Sequence, residues 1–293
     1  MTEIREAVKK MTFGEALKYG TDYLHSCGVE EASADAWLLM EYCCCMSRTR
    51  YLLRRTEQME TELWKRYQGL LGQRGEHIPL QHITGEQEFM GLSFQVNDQV
   101  LVPRQDTEIL VEEAMKAARP GTRVLDVCTG SGCIIISLAK LCPGITGTAL
   151  DLSPAALQVA RENARRLGVS VEFIESDLFA EVQGTFDLIV SNPPYIPTAA
   201  IEQLSEEVRL HDPRMALDGK EDGLYFYRKI IGESGRYLNP GGWLMFEIGS
   251  DLADAVVKML REKLFTGVRV IRDLAGLDRV VVGRKIEMEE SHV

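Results

Sequence analysis

Long apolar runs and an apolar leader are both missing from this chain of 293 residues. No stretch approaches the roughly 18 consecutive apolar residues that a membrane-spanning helix requires. The opening residues, from Met1 to Arg5, include charged side chains and lack the apolar core of a secretory signal. We therefore expect a soluble protein that stays in the cytoplasm and has no membrane partner.

Cysteine and histidine are present without the spacing that metal sites or disulfide frameworks need. The seven cysteines are an odd number, none forms a Cys-x-x-Cys pair, and the five histidines make no ligand spacing with them. We expect reduced thiols and no metal. The triplet Cys43-Cys44-Cys45 is interpreted as small apolar filling on a helix.

Positive charge is scarce as well, because the formal net charge is −11 at pH 7. This balance argues against a protein that wraps a nucleic-acid backbone. Residues 1–80 hold 11 basic and 12 acidic side chains, so most of the negative charge lies in the remainder of the chain. Four arginines of the first part are interpreted as a solvated helix face, with a partner-binding patch as the alternative. They are Arg48, Arg50, Arg54 and Arg55.

Residues 1–77 show helical periodicity and no strand signal. Thr12 and Glu15 have the spacing of a capping box, and apolar residues then recur at intervals typical of helices. We predict a small N-terminal helical bundle. Residues 78–104 follow as a connecting segment that contains a β-hairpin over about 83–102. The tail 287–293 is expected to be disordered.

Short apolar strands alternate with helical patterns over residues 105–286. This alternation predicts an α/β fold with a mainly parallel sheet of seven strands, the last antiparallel, and helices on both faces. Helices are predicted at about 132–141, 153–167, 223–237 and 251–263. The predicted strands are Arg123–Val127, Thr146–Leu150, Val171–Ile174, Phe186–Val190, Trp243–Ile248, Val268–Arg272 and Arg279–Val282.

A glycine-rich turn joins the first of these strands to the next helix. It reads Cys128-Thr129-Gly130-Ser131-Gly132, and the following strand ends at Asp151, 19 residues past Gly132. Glycines let the backbone approach a ligand, and the acid can accept from two ribose hydroxyls, which suits any nucleotide cofactor. A dinucleotide fingerprint would need a third glycine where Ile135 stands, and no Gly-Lys-Ser/Thr follows to form an ATPase cradle.

Together with Asp126 and with Ser176-Asp177-Leu178-Phe179 after the third strand, this segment resembles the class I S-adenosylmethionine-dependent methyltransferases. The resemblance implies a Rossmann-like sheet, S-adenosylmethionine as cofactor and S-adenosylhomocysteine as product. It places the loop Cys128, Thr129, Gly130, Ser131 and Gly132 beside the methionine moiety. Asp151 would hold the ribose, and Asp177 and Leu178 would lie by the adenine.

Asn192-Pro193-Pro194-Tyr195 follows the fourth predicted strand. Neither proline donates an N–H, and both fix φ near −65°, so the turn is stiff and its carbonyls remain free as acceptors. A carboxamide, a free carbonyl and an aromatic face are thereby held together, which is suited to gripping a planar NH2 group. The alternative is an ordinary strand-ending turn.

Methyltransferases with this tetrapeptide act on planar nitrogens, namely exocyclic amines of bases or glutamine amides. We expect the Asn192 side-chain oxygen and the Pro193 carbonyl to accept both N–H bonds, which opposes delocalisation of the lone pair. The nitrogen could then meet the sulfonium methyl at about 3–3.5 Å without a dedicated general base. Asn192 and Pro193 are the predicted catalytic residues, and Asn192 also borders the cofactor. Pro194 and Tyr195 complete the predicted substrate contacts.

Further stretches resemble the peptide chain release factor glutamine N5-methyltransferases, and the resemblance extends from about residue 10 to 285. It implies a glutamine in the Gly-Gly-Gln loop of a class 1 release factor as substrate, a helical front end that recognises this partner, and a monomer. These stretches are Pro79–Gly85, Val102–Glu108, Ser191–Ile196, Ala216–Gly219, Asp222–Leu224, Phe246–Gly249 and Asp273–Arg279.

Two other functions stay open. An adenine-N6 methyltransferase would need a basic groove and a base-reading domain, and the acidic charge speaks against both. A catalytically silent nucleotide-binding adaptor could keep the fold, but the intact tetrapeptide argues against it. Direct nucleic-acid binding is therefore not expected.

The sequence departs from the family pattern at three positions. Gln105 stands where a second proline is usual, Cys128 replaces a common glycine, and Ser250 lies near a family glutamine. Cys128 is accordingly expected to contact the ligand without a positive φ. Phe89 and Arg104 are expected to shape the cleft without a chemical role.

Overall fold

The computed structural model describes residues 11–286, so the tail predicted to be disordered lies outside the described residues. The chain divides between Gly85 and Glu86 into two compact units. Within the described part, no helix is long and apolar enough to cross a membrane.

Within residues 11–85, five helices pack around a core that includes Leu24, Leu39 and Tyr67. The predicted capping box is confirmed, because Thr12 and Glu15 exchange side-chain to backbone hydrogen bonds at the start of the first helix. A buried ion pair of 2.6 Å joins Arg74 to Asp35. The helices are α1 Phe13–Ser26, α2 Ala32–Cys44, α3 Arg48–Arg54, α4 Thr61–Gly75 and α5 Leu80–Thr84.

Two details of this unit differ from expectation. Helix α5 lies in the segment that we expected to be connecting, and it packs against α2 and α4 before Gly85 ends it in the left-handed conformation. The unit therefore extends to Gly85. Cys43 is buried as predicted, but Cys45 is exposed and caps α2 with φ 47°, so it fills no core.

The second unit begins with a hairpin and continues into the α/β sheet. Its strands are β1 Glu86–Phe89, β2 Leu92–Gln95, β3 Arg123–Val127, β4 Thr146–Asp151, β5 Val171–Glu175, β6 Phe186–Ser191, β7 Leu238–Glu247, β8 Thr266–Arg272 and β9 Asp278–Arg284. Its helices are α6 Glu108–Ala117, α7 Cys133–Leu141, α8 Pro154–Leu167, α9 Glu206–His211, α10 Arg214–Leu217, α11 Tyr225–Tyr237 and α12 Ala253–Glu262.

The hairpin is shorter than predicted. Strands β1 and β2 pair antiparallel across a two-residue turn, Met90-Gly91, with φ of 52° and 70°. Positive φ at both central positions is what a tight hairpin turn requires. The residues after β2 leave the hairpin and run toward α6 through a short 3-10 turn at Gln105–Thr107.

The seven-stranded sheet has the order β5-β4-β3-β6-β7-β9-β8. The five strands β5, β4, β3, β6 and β7 are parallel to one another, and β9 is antiparallel to both of its neighbours, β7 and β8. The predicted α/β class and the antiparallel last strand are thus confirmed. Alternate residues of the central strands face two separate cores, with Leu125 and Ile189 on one face and Val124 and Leu188 on the other.

The chain order reverses between β3 and β6. From β3 it proceeds outward through β4 and β5, whereas β6 and β7 lie on the opposite side. Ligands of such sheets bind in the crevice at the carboxyl ends of the strands beside this reversal. Ser191 ties the two strand ends together, because its hydroxyl donates to the Val127 carbonyl at 2.5 Å.

Candidate active site

A cleft opens at the carboxyl ends of β3, β4, β5 and β6. Its volume is about 1020 Å³, including the part open to solvent. The polar groups that line it come from the loop after β3, the end of β4, the loop after β5, the turn after β6 and the segment before α6. They include Arg104, Thr107, Thr129, Ser131, Asp151, Ser153, Ser176, Asp177 and Asn192.

The glycine-rich loop turns sharply as it leaves β3. Cys128, Gly130 and Gly132 have φ of 64°, 54° and 80°, so the expectation that Cys128 avoids a positive φ is wrong. A side chain at Gly130 would point into open space, whereas one at Gly132 would meet the Ile136 Cδ1 at 2.7 Å. Gly130 thus leaves room for a ligand, and Gly132 lets α7 begin close to the loop.

Two buried side chains, those of Asp126 and Asn163, hold this loop by hydrogen bonds. The Thr129 hydroxyl donates to the Asp126 carboxylate at 2.6 Å, and the Asn163 amide donates to the Ser131 carbonyl at 3.0 Å. Asn163 also exchanges two hydrogen bonds with the backbone of Gln95, the last residue of β2. Burial raises the pKa of Asp126 to about 7. Asp126 is fully buried, and it therefore supports the loop without lining the cleft.

Asp151, the last residue of the neighbouring strand β4, hydrogen-bonds to the glycine-rich loop. One carboxylate oxygen accepts from the Gly130 N–H at 2.8 Å and the other from the Ser153 N–H at 2.9 Å. Burial raises the pKa of Asp151, and these backbone donors oppose that rise. The backbone of Leu152 also lowers this pKa, and a carboxylate has about four acceptor sites, so at least one remains. Asp151 can therefore accept a hydrogen bond from a ligand while it shapes the loop.

The other predicted cofactor residues reach the same cleft, with one exception. Cys128, Asp177 and Leu178 line it, and Asp177 is exposed. Leu178 has φ 52° and its carbonyl accepts from the Ser176 hydroxyl at 2.7 Å. Gly132 does not line the cleft but caps α7.

Of the tetrapeptide after β6, Asn192 and Pro194 line the cleft, and Pro193 and Tyr195 do not. Asn192 is half-buried, and its Nδ2 donates to the Thr107 hydroxyl at 3.4 Å. Burial raises the pKa of Tyr195 to about 12, so its phenol is neutral at neutral pH.

A segment more than twenty residues later fixes the shape of this turn. The Ile196 N–H donates to the Leu217 carbonyl at 3.0 Å, and the Gly219 N–H donates to the Ile196 carbonyl at 2.8 Å. A Cβ on Gly223, whose φ is 74°, would lie 2.3 Å from the Tyr195 carbonyl oxygen. Proline stiffness is thus reinforced by backbone pairing and by close packing that only glycine permits.

Two buried carboxyls near the turn, those of Glu247 and Asp212, had no predicted role. Glu247 ends β7 and is 2% exposed, and burial raises its pKa to about 7. Arg104 pairs with the buried Asp212 at 2.9 Å, and burial raises the pKa of Asp212 to about 6. Phe89, expected at the cleft, instead packs in the core, where it meets Phe94 edge-on.

No group of three or more His, Cys, Asp or Glu side chains within residues 11–286 is arranged to hold a metal ion. The seven cysteines are all free. The polar groups of the cleft are hydrogen-bond donors and acceptors suited to an organic ligand.

The sheet order and the cleft define a class I methyltransferase. The family described as "Methyltransferase small domain" matches residues 104–217, and "PrmC N-terminal domain" matches residues 15–85. A methyltransferase crystal structure from Pyrococcus furiosus shares the fold, with a TM-score of 0.51 and 20% identity over 68% of this chain and 91% of that one.

Two curated relatives are both called release factor glutamine methyltransferase. The relative from Geobacter sulfurreducens is 43% identical over 93% of this chain and 96% of its own length. The relative from Moorella thermoacetica is 41% identical over 94% of this chain and 100% of its own length. The chain belongs to the release factor glutamine methyltransferase family, which confirms the resemblance found in the sequence.

Proposed function

We propose that the protein transfers a methyl group from S-adenosylmethionine to the side-chain amide nitrogen of a glutamine, in the Gly-Gly-Gln loop of a class 1 peptide chain release factor. The products are N5-methylglutamine and S-adenosylhomocysteine. The observation that carries this proposal is the position of Asn192, which shares one cleft with the loop anchored by Asp151. Membership of the family supports the same reaction.

The residues of the cleft fit the proposed cofactor. Bound S-adenosylmethionine supplies an electrophilic methyl group on its sulfonium. The backbone at Gly130 leaves open space, and the Asp151 carboxylate has acceptor capacity left for a ribose hydroxyl. Asp177 and Leu178 stand at the next strand end for the adenine, and the amino end of α7 favours a carboxylate.

The turn after β6 supplies the acceptors for the glutamine amide. The Asn192 Oδ1 accepts one N–H bond of the glutamine amide, and the Pro193 carbonyl accepts the other. This arrangement opposes delocalisation of the nitrogen lone pair into the amide carbonyl. Positioning does most of the chemical work. Tyr195 does not act as a base, because its pKa is raised to about 12. The amide proton leaves to water after transfer.

A protein acceptor is favoured over a nucleic-acid base by charge. The chain carries a net charge of −11, so a phosphate backbone would meet an unfavourable field. Adenine methylation is therefore the second outcome that the experiment must exclude. A silent adaptor is disfavoured because Asn192 reaches the cleft with its carboxamide.

The first unit offers a surface for the release factor. Leu52 and Leu53 on α3 are 56% and 79% exposed, and the arginines Arg48 and Arg50 stand on the same helix. Exposed leucines among arginines are typical of a protein contact. We expect Leu53→Asp to weaken methylation of the intact factor and to spare a short Gly-Gly-Gln peptide. Leu274→Asp, at a fully exposed leucine of the second unit, is the matched control.

The deciding experiment is mass spectrometry of a class 1 release factor incubated with the protein and S-adenosylmethionine, with DNA in a parallel reaction. A gain of one methyl group on the Gly-Gly-Gln glutamine is the expected result. Methyl transfer to adenine, or to neither substrate, would overturn the proposal. The proposal includes a monomeric enzyme that meets this translation factor in the cytoplasm, and light scattering tests the monomer.

A further inference from the structure

Asn192 follows the last residue of β6, and Glu247 is the last residue of the neighbouring parallel strand β7. Ser191 of β6 and Phe246 of β7 are register partners, so Asn192 and Glu247, the residues that follow them, lie side by side. Neighbouring strands are about 4.8 Å apart, which brings side chains at matching positions within hydrogen-bonding reach. The side chain of Asn192 lies close enough to the Glu247 carboxyl to lower the pKa of that carboxyl. It does not line the cleft itself.

Thr107 completes a small buried network with these two side chains. Thr107 is 2% exposed, its hydroxyl accepts from the Asn192 Nδ2 at 3.4 Å, and it also lowers the pKa of the nearby Glu247 carboxyl. A hydroxyl has one proton, so a Thr107 that accepts from Asn192 keeps its own proton available for the carboxylate. The second carboxylate oxygen of Glu247 is buried and has no hydrogen-bond partner.

This network distinguishes the two ends of the Asn192 carboxamide. Rotation by 180° would exchange the oxygen and the nitrogen with almost no change in shape. When Glu247 is ionised, the rotated state would bring the Asn192 Oδ1 against its carboxylate, and two acceptors would meet in a buried place. We propose that Glu247, acting with Thr107, is a positioning residue that keeps the Asn192 Oδ1 toward the cleft and so makes the site select an amide over a carboxylate.

The proposal rests on the function proposed above and deepens it. An acceptor oxygen at the cleft wall binds the N–H bonds of glutamine. The same oxygen repels the carboxylate of glutamate, which has no proton to donate at neutral pH. Glu247 thereby determines the selection of glutamine over glutamate without contacting the substrate, because it acts through Asn192.

The test compares three variants of the full chain. Glu247→Gln keeps the shape of the side chain and supplies an NH2 group that can face the rotated Asn192. Thr107→Val removes the hydroxyl that links them. Glu113→Gln, which changes a buried carboxyl paired with Arg269, is the matched control. Methylation of a Gly-Gly-Gln peptide is measured alone and in the presence of a Gly-Gly-Glu peptide.

For Glu247→Gln we expect kcat to fall about 10- to 100-fold, because the Asn192 side chain would often present its NH2 group to the substrate and would be poorly held in either orientation. The Gly-Gly-Glu peptide should become a competitive inhibitor of this variant and not of the wild type. Thr107→Val should shift both quantities in the same direction by a smaller factor. Affinity for S-adenosylhomocysteine should not change in Glu247→Gln or Glu113→Gln, because neither residue lines the cleft.

Wild-type kcat and continued indifference to Gly-Gly-Glu in Glu247→Gln would overturn the inference. So would a joint fall of kcat, cofactor affinity and melting temperature without a change in selectivity, because that pattern marks a structural role. Absence of methylated peptide with the wild type would instead count against the proposed function.

A second measurement does not depend on turnover. In protein labelled with ¹⁵N-asparagine, the side-chain NH2 signal of Asn192, identified by its loss in Asn192→Ser, should shift as the pH passes through about 7. Glu247→Gln should abolish that shift. Other groups that face Glu247 are Asp106, Cys133, Tyr195, Tyr227 and Arg279, and they remain in the variant. A shift that persists in Glu247→Gln contradicts the network.

Discussion

Replacement of Asp151 by asparagine separates the two tasks of this carboxylate. In the structure its two oxygens accept from the Gly130 and Ser153 N–H groups at 2.8 and 2.9 Å. Asparagine has the same shape but only one acceptor oxygen and no charge. One backbone N–H therefore loses its partner, and the charged acceptor for the ribose hydroxyls disappears.

The expected magnitudes follow from these bonds. A hydrogen bond to a charged group contributes about 1.5–3 kcal/mol, so the dissociation constant of the cofactor should rise roughly 10- to 150-fold. The effect on folding should be smaller. The lost backbone bond costs about 1–3 kcal/mol, but the variant also no longer buries a charge whose pKa is raised by desolvation.

Calorimetric titration with S-adenosylhomocysteine measures the affinity without turnover, and thermal unfolding measures the stability. Asp187→Asn is the matched control, because Asp187 accepts from the Arg123 N–H at 2.8 Å and does not line the cleft. The control should lose stability and keep its affinity. Unchanged affinity in Asp151→Asn, or an equal loss in Asp187→Asn, would refute the assignment.

Three further predictions concern turnover and stability. Asn192→Ala should lower kcat about 100- to 1000-fold and leave cofactor affinity nearly unchanged, since it removes an acceptor for the substrate only; a large loss of cofactor binding would contradict this. Gly223→Ala should cost roughly 1–3 kcal/mol of folding free energy and lower kcat, because its Cβ would lie 2.3 Å from the Tyr195 carbonyl oxygen. Wild-type stability of this variant in denaturant would show that close packing of Gly223 does not hold the turn after β6. Burial raises the pKa of Asp126 and Glu247 to about 7 and that of Asp212 to about 6, so the folded state binds more protons and stability should fall as the pH rises from 5 to 7.5. A melting temperature that rises over this interval would contradict the third prediction.

Regular periodicity explains why most of the fold could be predicted. The apolar strands and the capping box of Thr12 depend on neighbouring residues, and the structure confirms them. Helix α5 was missed because its five residues are too few to show a period. Its position is determined by packing against α2 and α4, which the local sequence does not reveal.

Backbone conformation at Cys128 was mispredicted for a related reason. A non-glycine residue in the left-handed region is uncommon, so the absence of glycine suggested an ordinary φ. The turn is instead imposed from outside, because the Thr129 N–H bonds to the Leu150 carbonyl at 2.9 Å and its hydroxyl bonds to Asp126. Tertiary hydrogen bonds outweighed the local preference.

The polar partners of the tetrapeptide were the least predictable part of the site. Thr107 and Glu247 lie 85 and 55 positions from Asn192 in the sequence, and only the parallel register of β6 and β7 and the turn before α6 bring them close. A glutamate at the end of a buried strand was the one available signal. Single-sequence periodicity has no means of pairing such distant positions.

Asn163 has a practical consequence for dissection of the protein. Its fully buried amide bonds both to Gln95, the last residue of the hairpin, and to Ser131 of the glycine-rich loop. A fragment that started at residue 105 would leave this amide with two empty hydrogen-bonding positions, and it would lack Phe89 and Phe94, which pack in the core with α6 residues such as Leu110. The shortest catalytic fragment worth expressing therefore begins at Glu86, where the hairpin starts.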